Sequence, residues 1–90
     1  MIIEKKTLYL KQLQNIIRFI SQDKPIAALN FEKELNKKLK QILSNPKIHR
    51  KSHYFDDENY RDLIYKGYTI IYKIENNTVK ILDIFKWQER

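Results

Sequence analysis

Two turn signals ten residues apart constrain this chain more than any other feature. They divide its last third, Tyr60-Arg-Asp-Leu-Ile-Tyr-Lys-Gly-Tyr-Thr-Ile-Ile-Tyr-Lys-Ile-Glu-Asn-Asn-Thr-Val-Lys-Ile-Leu-Asp-Ile-Phe-Lys-Trp87. Lys66-Gly67 is a two-residue turn in which Gly supplies a positive φ. Asn76-Asn77 is a second, since Asn tolerates left-handed backbone better than other non-Gly residues. The segments between them are rich in Ile, Tyr and Val and predict three antiparallel strands at about 60–65, 68–75 and 78–87. In the middle strand, alternation puts Tyr68, Ile70, Tyr72 and Ile74 on one face and Thr69, Ile71 and Lys73 on the other. In the last strand it puts Val79, Ile81, Asp83, Phe85 and Trp87 on one face. Lys80, Leu82, Ile84 and Lys86 take the other, and this second set is expected to meet the helices through Leu82 and Ile84. Both sheet faces carry apolar residues. One packs on the helices and the other is left for a partner.

Upstream, the period changes from two to about 3.6. Leu10, Leu13, Ile16, Ile17 and Ile20 follow steps of three and four, and Lys11, Gln14, Asn15 and Arg18 take the opposite face. Ser21-Gln22-Asp23 interrupts the pattern. Pro25 then suits the first turn of a second helix, where its missing N–H costs nothing. Ala28, Phe31, Leu35, Leu39 and Ile42 make a continuous stripe along a helix of about Pro25–Leu43. So short a connection forces the helices to pack as an antiparallel hairpin. Ser44-Asn45-Pro46 ends the second helix, and residues 46–59 read as a long loop. Ile2 and Ile3 fit a short first strand. The expected fold is α+β, in the order β-α-α-β-β-β, with the hairpin packed on a twisted, mostly antiparallel sheet.

The chain has 90 residues and reads as a single domain over 1–90. No apolar run approaches the roughly 20 residues needed to span a bilayer, so no membrane partner is expected. The start, Met-Ile-Ile-Glu-Lys-Lys, lacks the regions of a signal peptide, and a cytoplasmic location is expected. There is no Cys, which excludes disulfides and thiolate chemistry. The net charge of +7 is concentrated in Lys33, Lys37, Lys38, Lys40, Lys47, Arg50 and Lys51, against the single acid Glu34. That pattern suits a polyanion or an acidic protein partner, or else a Lys-rich solvated surface.

Other constellations carry less. His49 and His53 are four apart, but they follow Pro46 in a loop and no acid or Cys completes a metal site, so neither a metal nor a cofactor is expected. Either His has the chemistry for general acid or base work; a solvated loop is the favoured reading. Asp56-Asp57-Glu58 reads as a solvated acidic run. Tyr60, Tyr65, Tyr68 and Tyr72 read mainly as core and cross-strand partners rather than a base-stacking surface. Trp87 fits either core or an exposed contact.

Three features together carry a resemblance to a known family. One is the element order in about 90 residues. Another is Pro25-Ile-Ala-Ala28 at the start of the second helix, similar to a Pro-x-Ala-Ala start. The last is Tyr60-Arg61-Asp62-Leu63 followed by Gly67-Tyr68-x-Ile70-Ile71-Tyr72, which resembles Arg-Glu-Leu and Gly-Tyr-Arg-Ile-Ile-Tyr. On these residues the chain resembles the RelE/ParE toxins of type II toxin–antitoxin systems, over nearly its whole length.

The resemblance implies two alternative toxic mechanisms, beside a third reading in which the chain is an inactive member kept for binding its partner. RelE-type members cleave mRNA on the ribosome, and ParE-type members poison DNA gyrase without being enzymes. A nuclease here would draw on Arg61, Lys86, Arg90 and His53. Yet the Arg that follows Gly-Tyr in the nuclease pattern is Thr69 here, and the C-terminal Tyr of some nucleases has no counterpart. Many ParE-type members keep that Arg too, so Thr69 departs from both templates. In-line phosphoryl transfer without a metal depends on preorganised positive charge, so the loss weighs more against a nuclease. The ParE-like reading is therefore favoured. It implies target contacts from Lys66, Lys86, Trp87 and Arg90. It also implies an acidic antitoxin that wraps the hairpin, with Leu10, Leu13, Ile17, Phe31, Leu35 and Leu39 as its expected contacts, and extends the sheet.

Overall fold

The computed structural model describes residues 1–86. In chain order it contains β1 (Ile2–Lys5), α1 (Thr7–Asp23), α2 (Pro25–Ile42), β2 (Arg50–Lys51), β3 (Tyr60–Tyr65), β4 (Tyr68–Glu75) and β5 (Thr78–Lys86). The strands form one sheet in the order β1-β5-β4-β3-β2. β2–β3, β3–β4 and β4–β5 are antiparallel, and β1 lies parallel to β5. The α+β architecture expected from the sequence is present, with one addition. The segment read as an unbroken loop contributes β2, whose two residues pair Arg50 with Asp62 and Lys51 with Arg61.

Both turns form as the sequence predicts. Lys66 and Gly67 have φ of 49° and 83°, and Asn76 and Asn77 have 50° and 60°. All four lie in the left-handed region that a two-residue hairpin matching the sheet twist requires. Only Lys24 separates the helices. Its amide donates to the Ile20 carbonyl at 2.9 Å, and its own carbonyl accepts from Ala28 N–H at 3.1 Å. One residue thus closes α1 and opens α2, and Pro25 occupies the first turn.

The core lies between the hairpin and one sheet face. The α2 stripe is buried at every expected position, from Ala28 to Ile42. α1 differs from the expectation. Its fully buried anchor is Tyr9, followed by Leu13, with Ile16, Ile17 and Ile20 only half-buried. Leu10 is exposed. The buried face is thus Tyr9-Leu13-Ile16/Ile17-Ile20, rotated by one residue at its start from the all-aliphatic stripe. From the sheet, Leu63, Tyr65, Ile70 and Tyr72 complete this layer. Tyr65 donates its hydroxyl to the Phe31 carbonyl at 3.1 Å, and its ring lies 5.1 Å from that of Phe31.

The last strand corrects the predicted alternation. Val79, Ile81 and Ile84 are fully buried, whereas Leu82 is only half-buried. The cause is an irregularity in the β4–β5 register. Ile71 faces Asp83 while its neighbour Tyr72 faces Ile81, so Leu82 is an extra residue opposite the Ile71/Tyr72 step. A bulge of this kind shifts side-chain parity by one. Val79 and Ile81 before it and Ile84 after it therefore all face the helices.

Candidate functional site

Arg61 carries the clearest geometry. It stands on β3 beside the loop that joins α2 to the sheet. Its Nε–H donates to the Glu58 carbonyl at 2.8 Å and its Nη1–H to the His49 carbonyl at 3.2 Å. The guanidinium therefore bridges the two ends of the segment 49–58. Tyr72 holds the chain just before this segment, donating its hydroxyl to the Pro46 carbonyl at 2.7 Å. Burial pushes the Tyr72 phenol up to about 12, against the opposing effect of its hydrogen bonding and of the Arg61 charge. The His49 ring packs edge-on against Tyr72 at 6.1 Å, and burial, with the nearby Lys38 charge, lowers its pKa.

On the other sheet face the loop is fastened by Asp62. This carboxylate is fully buried; Oδ2 accepts from Arg50 Nη2 at 3.4 Å and from the His53 amide at 3.0 Å. His53 thus serves through its main chain, and its side chain is exposed. Thr69 lies on this face, paired with Ile64 and Phe85, and is fully buried. Neither Thr69 Oγ1 nor Asp62 Oδ1 has a hydrogen-bond partner among the described residues. Beside Ile71, Asp83 has its carboxyl pKa raised by burial, against the hydrogen bond from Ile84 N–H. No described groups of three or more His, Cys, Asp or Glu are placed to hold a metal ion. His49 and His53, set in non-helical chain, lie against different partners.

The sequence-derived target residues Lys66 and Lys86 come together at one end of the sheet. Lys66 sits in the β3–β4 turn, and Lys86 pairs in register with Tyr68, two residues beyond Lys66. Both are exposed, and neither forms an ion pair among the described residues. The opposite end is different. There Glu75 accepts from Lys80 at 2.8 Å and Lys73 at 3.2 Å, so those cations are locally neutralised. Trp87 and Arg90 lie outside the described residues.

The residues expected to meet an antitoxin divide sharply. Leu13, Phe31, Leu35 and Leu39 are buried in the chain's own core, which corrects their placement as outward contacts: their stripes face the sheet, not solvent. Ile17 is half-buried, and Leu10 is 47% exposed. The exposed apolar residues of the hairpin also include Phe19 at 66%, Ile26 at 73% and Leu29 at 68%. The sequence signal for these was available: they are large apolar residues off the core stripes.

The family model described as "ParE toxin of type II toxin-antitoxin system, parDE" matches residues 3–89. The chain belongs to the ParE toxin family. Among solved structures it is similar to a chain of "Chromosomal ParDE TA system from P. aeruginosa", with a TM-score of 0.78 and 16% sequence identity, over 96% of this chain and 95% of that chain. At that identity the likeness establishes the shared fold. No curated protein sequence matches the chain. Within this ParE-family fold, Arg61 is fastened to the main chain and the position after Gly67-Tyr68 is a buried Thr. No helix among the described residues is long and apolar enough to cross a membrane.

Proposed function

We propose that this ParE-family chain inhibits DNA gyrase by binding it inside the cell and is neutralised by a cognate acidic antitoxin. The observation that carries the non-nuclease reading is the engagement of Arg61. A cation that stabilises a scissile phosphate must offer free donors where charge develops. Here two of the five Arg61 donors, Nε–H and one Nη1–H, are committed to main-chain carbonyls 58 and 49, which ties the guanidinium to the loop and gives it a structural task. Thr69 adds no charge, and Arg50 is paired with Asp62. The exposed cations at the sheet end, Lys66 and Lys86, which form no ion pair among the described residues, suit docking on an acidic protein surface, with Trp87 and Arg90 proposed to join them.

The antitoxin is proposed to cover the outward apolar residues of the hairpin, Leu10, Ile17, Ile26 and Leu29, through an amphipathic segment that folds on binding. The test is supercoiling of relaxed plasmid by purified gyrase. Inhibition by the purified chain supports the reading. Full supercoiling at a large molar excess counts heavily against it.

A further inference from the structure

A groove of about 300 Å³ runs between α1 and the sheet end that bears Lys66 and Lys86. Its lining includes Ile16 and Phe19 from α1 and Tyr68 and Ile84 from the sheet, with Gln12, Asn15 and Lys86 as polar members. We propose that this groove is the gyrase-docking site, and that it takes an acidic segment of gyrase carrying one large apolar side chain. The proposal rests on the gyrase reading above and specifies the surface and the chemistry recognised.

The argument starts from Phe19. It is 66% exposed, whereas Ile20, one residue further on, is half-buried against the core. An aromatic ring left in water at the mouth of an apolar cleft is the arrangement that anchors interface hot spots, where a seated apolar side chain excludes water from its surroundings. The groove lies between both layers of the fold, because one wall is helix and the other is the sheet end where β4 begins and β5 finishes. A segment lying there would touch rigid elements on either side.

Charge selects the occupant. Lys86 lies in the groove, and Lys66 lies at the same end of the sheet; neither has a carboxylate partner among the described residues. A carboxylate beside the apolar anchor would meet Lys86 in the groove, and long-range attraction to Lys66 and to a chain of net charge +7 would speed the encounter. A second copy of this chain would bring the same cations against a surface of like charge. The other apolar positions of the hairpin, Ile26 and Leu29, do not line the groove, so target and antitoxin need not compete for the same side chains.

The experiment measures inhibition of purified gyrase by the wild-type chain and by Phe19→Asp, Lys86→Glu and, as a control on the same helix, Gln14→Asp. Circular dichroism and urea unfolding verify that each variant is folded. The expected result is inhibition by the wild type and the control alike, with a loss of about tenfold or more in each groove variant, the size of one hot-spot side chain. Inhibition retained by both groove variants overturns the docking site while leaving gyrase as the target. Absence of inhibition by the wild type overturns both. Sedimentation showing a dimer that Phe19→Asp dissociates assigns the groove to self-association instead and overturns the proposal.

Discussion

Replacing Arg61 with Ala separates a structural cation from a catalytic one. The guanidinium donates two hydrogen bonds, at 2.8 and 3.2 Å, to carbonyls at the two ends of the 49–58 segment. Hydrogen bonds from a charged donor contribute about 1.5–3 kcal/mol each when well sheltered. Arg61 is half-exposed and water can replace it on both carbonyls, so about 1 kcal/mol per bond is the appropriate scale. Arg61→Ala is therefore expected to cost about 2 kcal/mol. With a urea m-value of about 1 kcal/mol/M, that moves the unfolding midpoint down by about 2 M. Arg61→Lys presents a single point charge in place of a planar fork and is expected to recover about half of the loss. Amide exchange within 49–58 should accelerate in Arg61→Ala more than exchange in α2 or β5. Growth arrest by the variant should persist under conditions where it remains folded. An Arg61→Ala chain with wild-type stability and loop protection but no toxicity would refute this reasoning and restore a catalytic role.

Three further outcomes follow from the packing. Tyr9 is fully buried with its hydroxyl unpartnered, and burial with the nearby Glu32 charge pushes its phenol up to about 12. Tyr9→Phe should therefore leave stability unchanged or raise it by about 1 kcal/mol, whereas Tyr72→Phe should lower it by about 1 kcal/mol by removing the bond to Pro46; paired urea titrations check this. The bulge predicts that Ile81→Ala costs about 2–5 kcal/mol and the adjacent Leu82→Ala much less; equal losses would place Leu82 in the core. The lowered His49 pKa means that the unfolded state binds a proton more readily than the folded state. The stability it contributes is present above the ordinary value of 6.5 and lost as pH falls through the window below it. His49→Gln should flatten that part of the stability–pH profile, and an NMR titration midpoint for His49 at or above 6.5 would contradict the sign.

Much of the fold was legible because its signals are local. Gly67 and the Asn pair demand left-handed backbone wherever they occur, and the α2 stripe has no competing period. What was not legible depends on contacts distant in sequence. The parity of β5 reverses at Leu82 because β4 takes one residue fewer, and alternation within one strand cannot reveal a partner's register. Tyr9 was passed over because a phenol reads as amphipathic, although the ring here is fully buried in the core. β2 has only two residues, Arg50 and Lys51, both charged, and is defined by its pairing with β3. Among candidate functional residues, the sequence identified Arg61 by type. Its commitment to carbonyls 49 and 58 required the loop to be folded back onto β3. The hairpin stripes were found correctly as apolar faces, but their direction was misassigned for Leu13, Phe31, Leu35 and Leu39. A stripe shows that a face is buried without showing what buries it.

The most direct test follows DNA topology and message integrity in one culture after induction of the chain. Poisoning of gyrase predicts relaxed or gyrase-cleaved plasmid while transcripts stay intact. Transcripts cut within codons on translating ribosomes, with plasmid supercoiling preserved, would contradict the account.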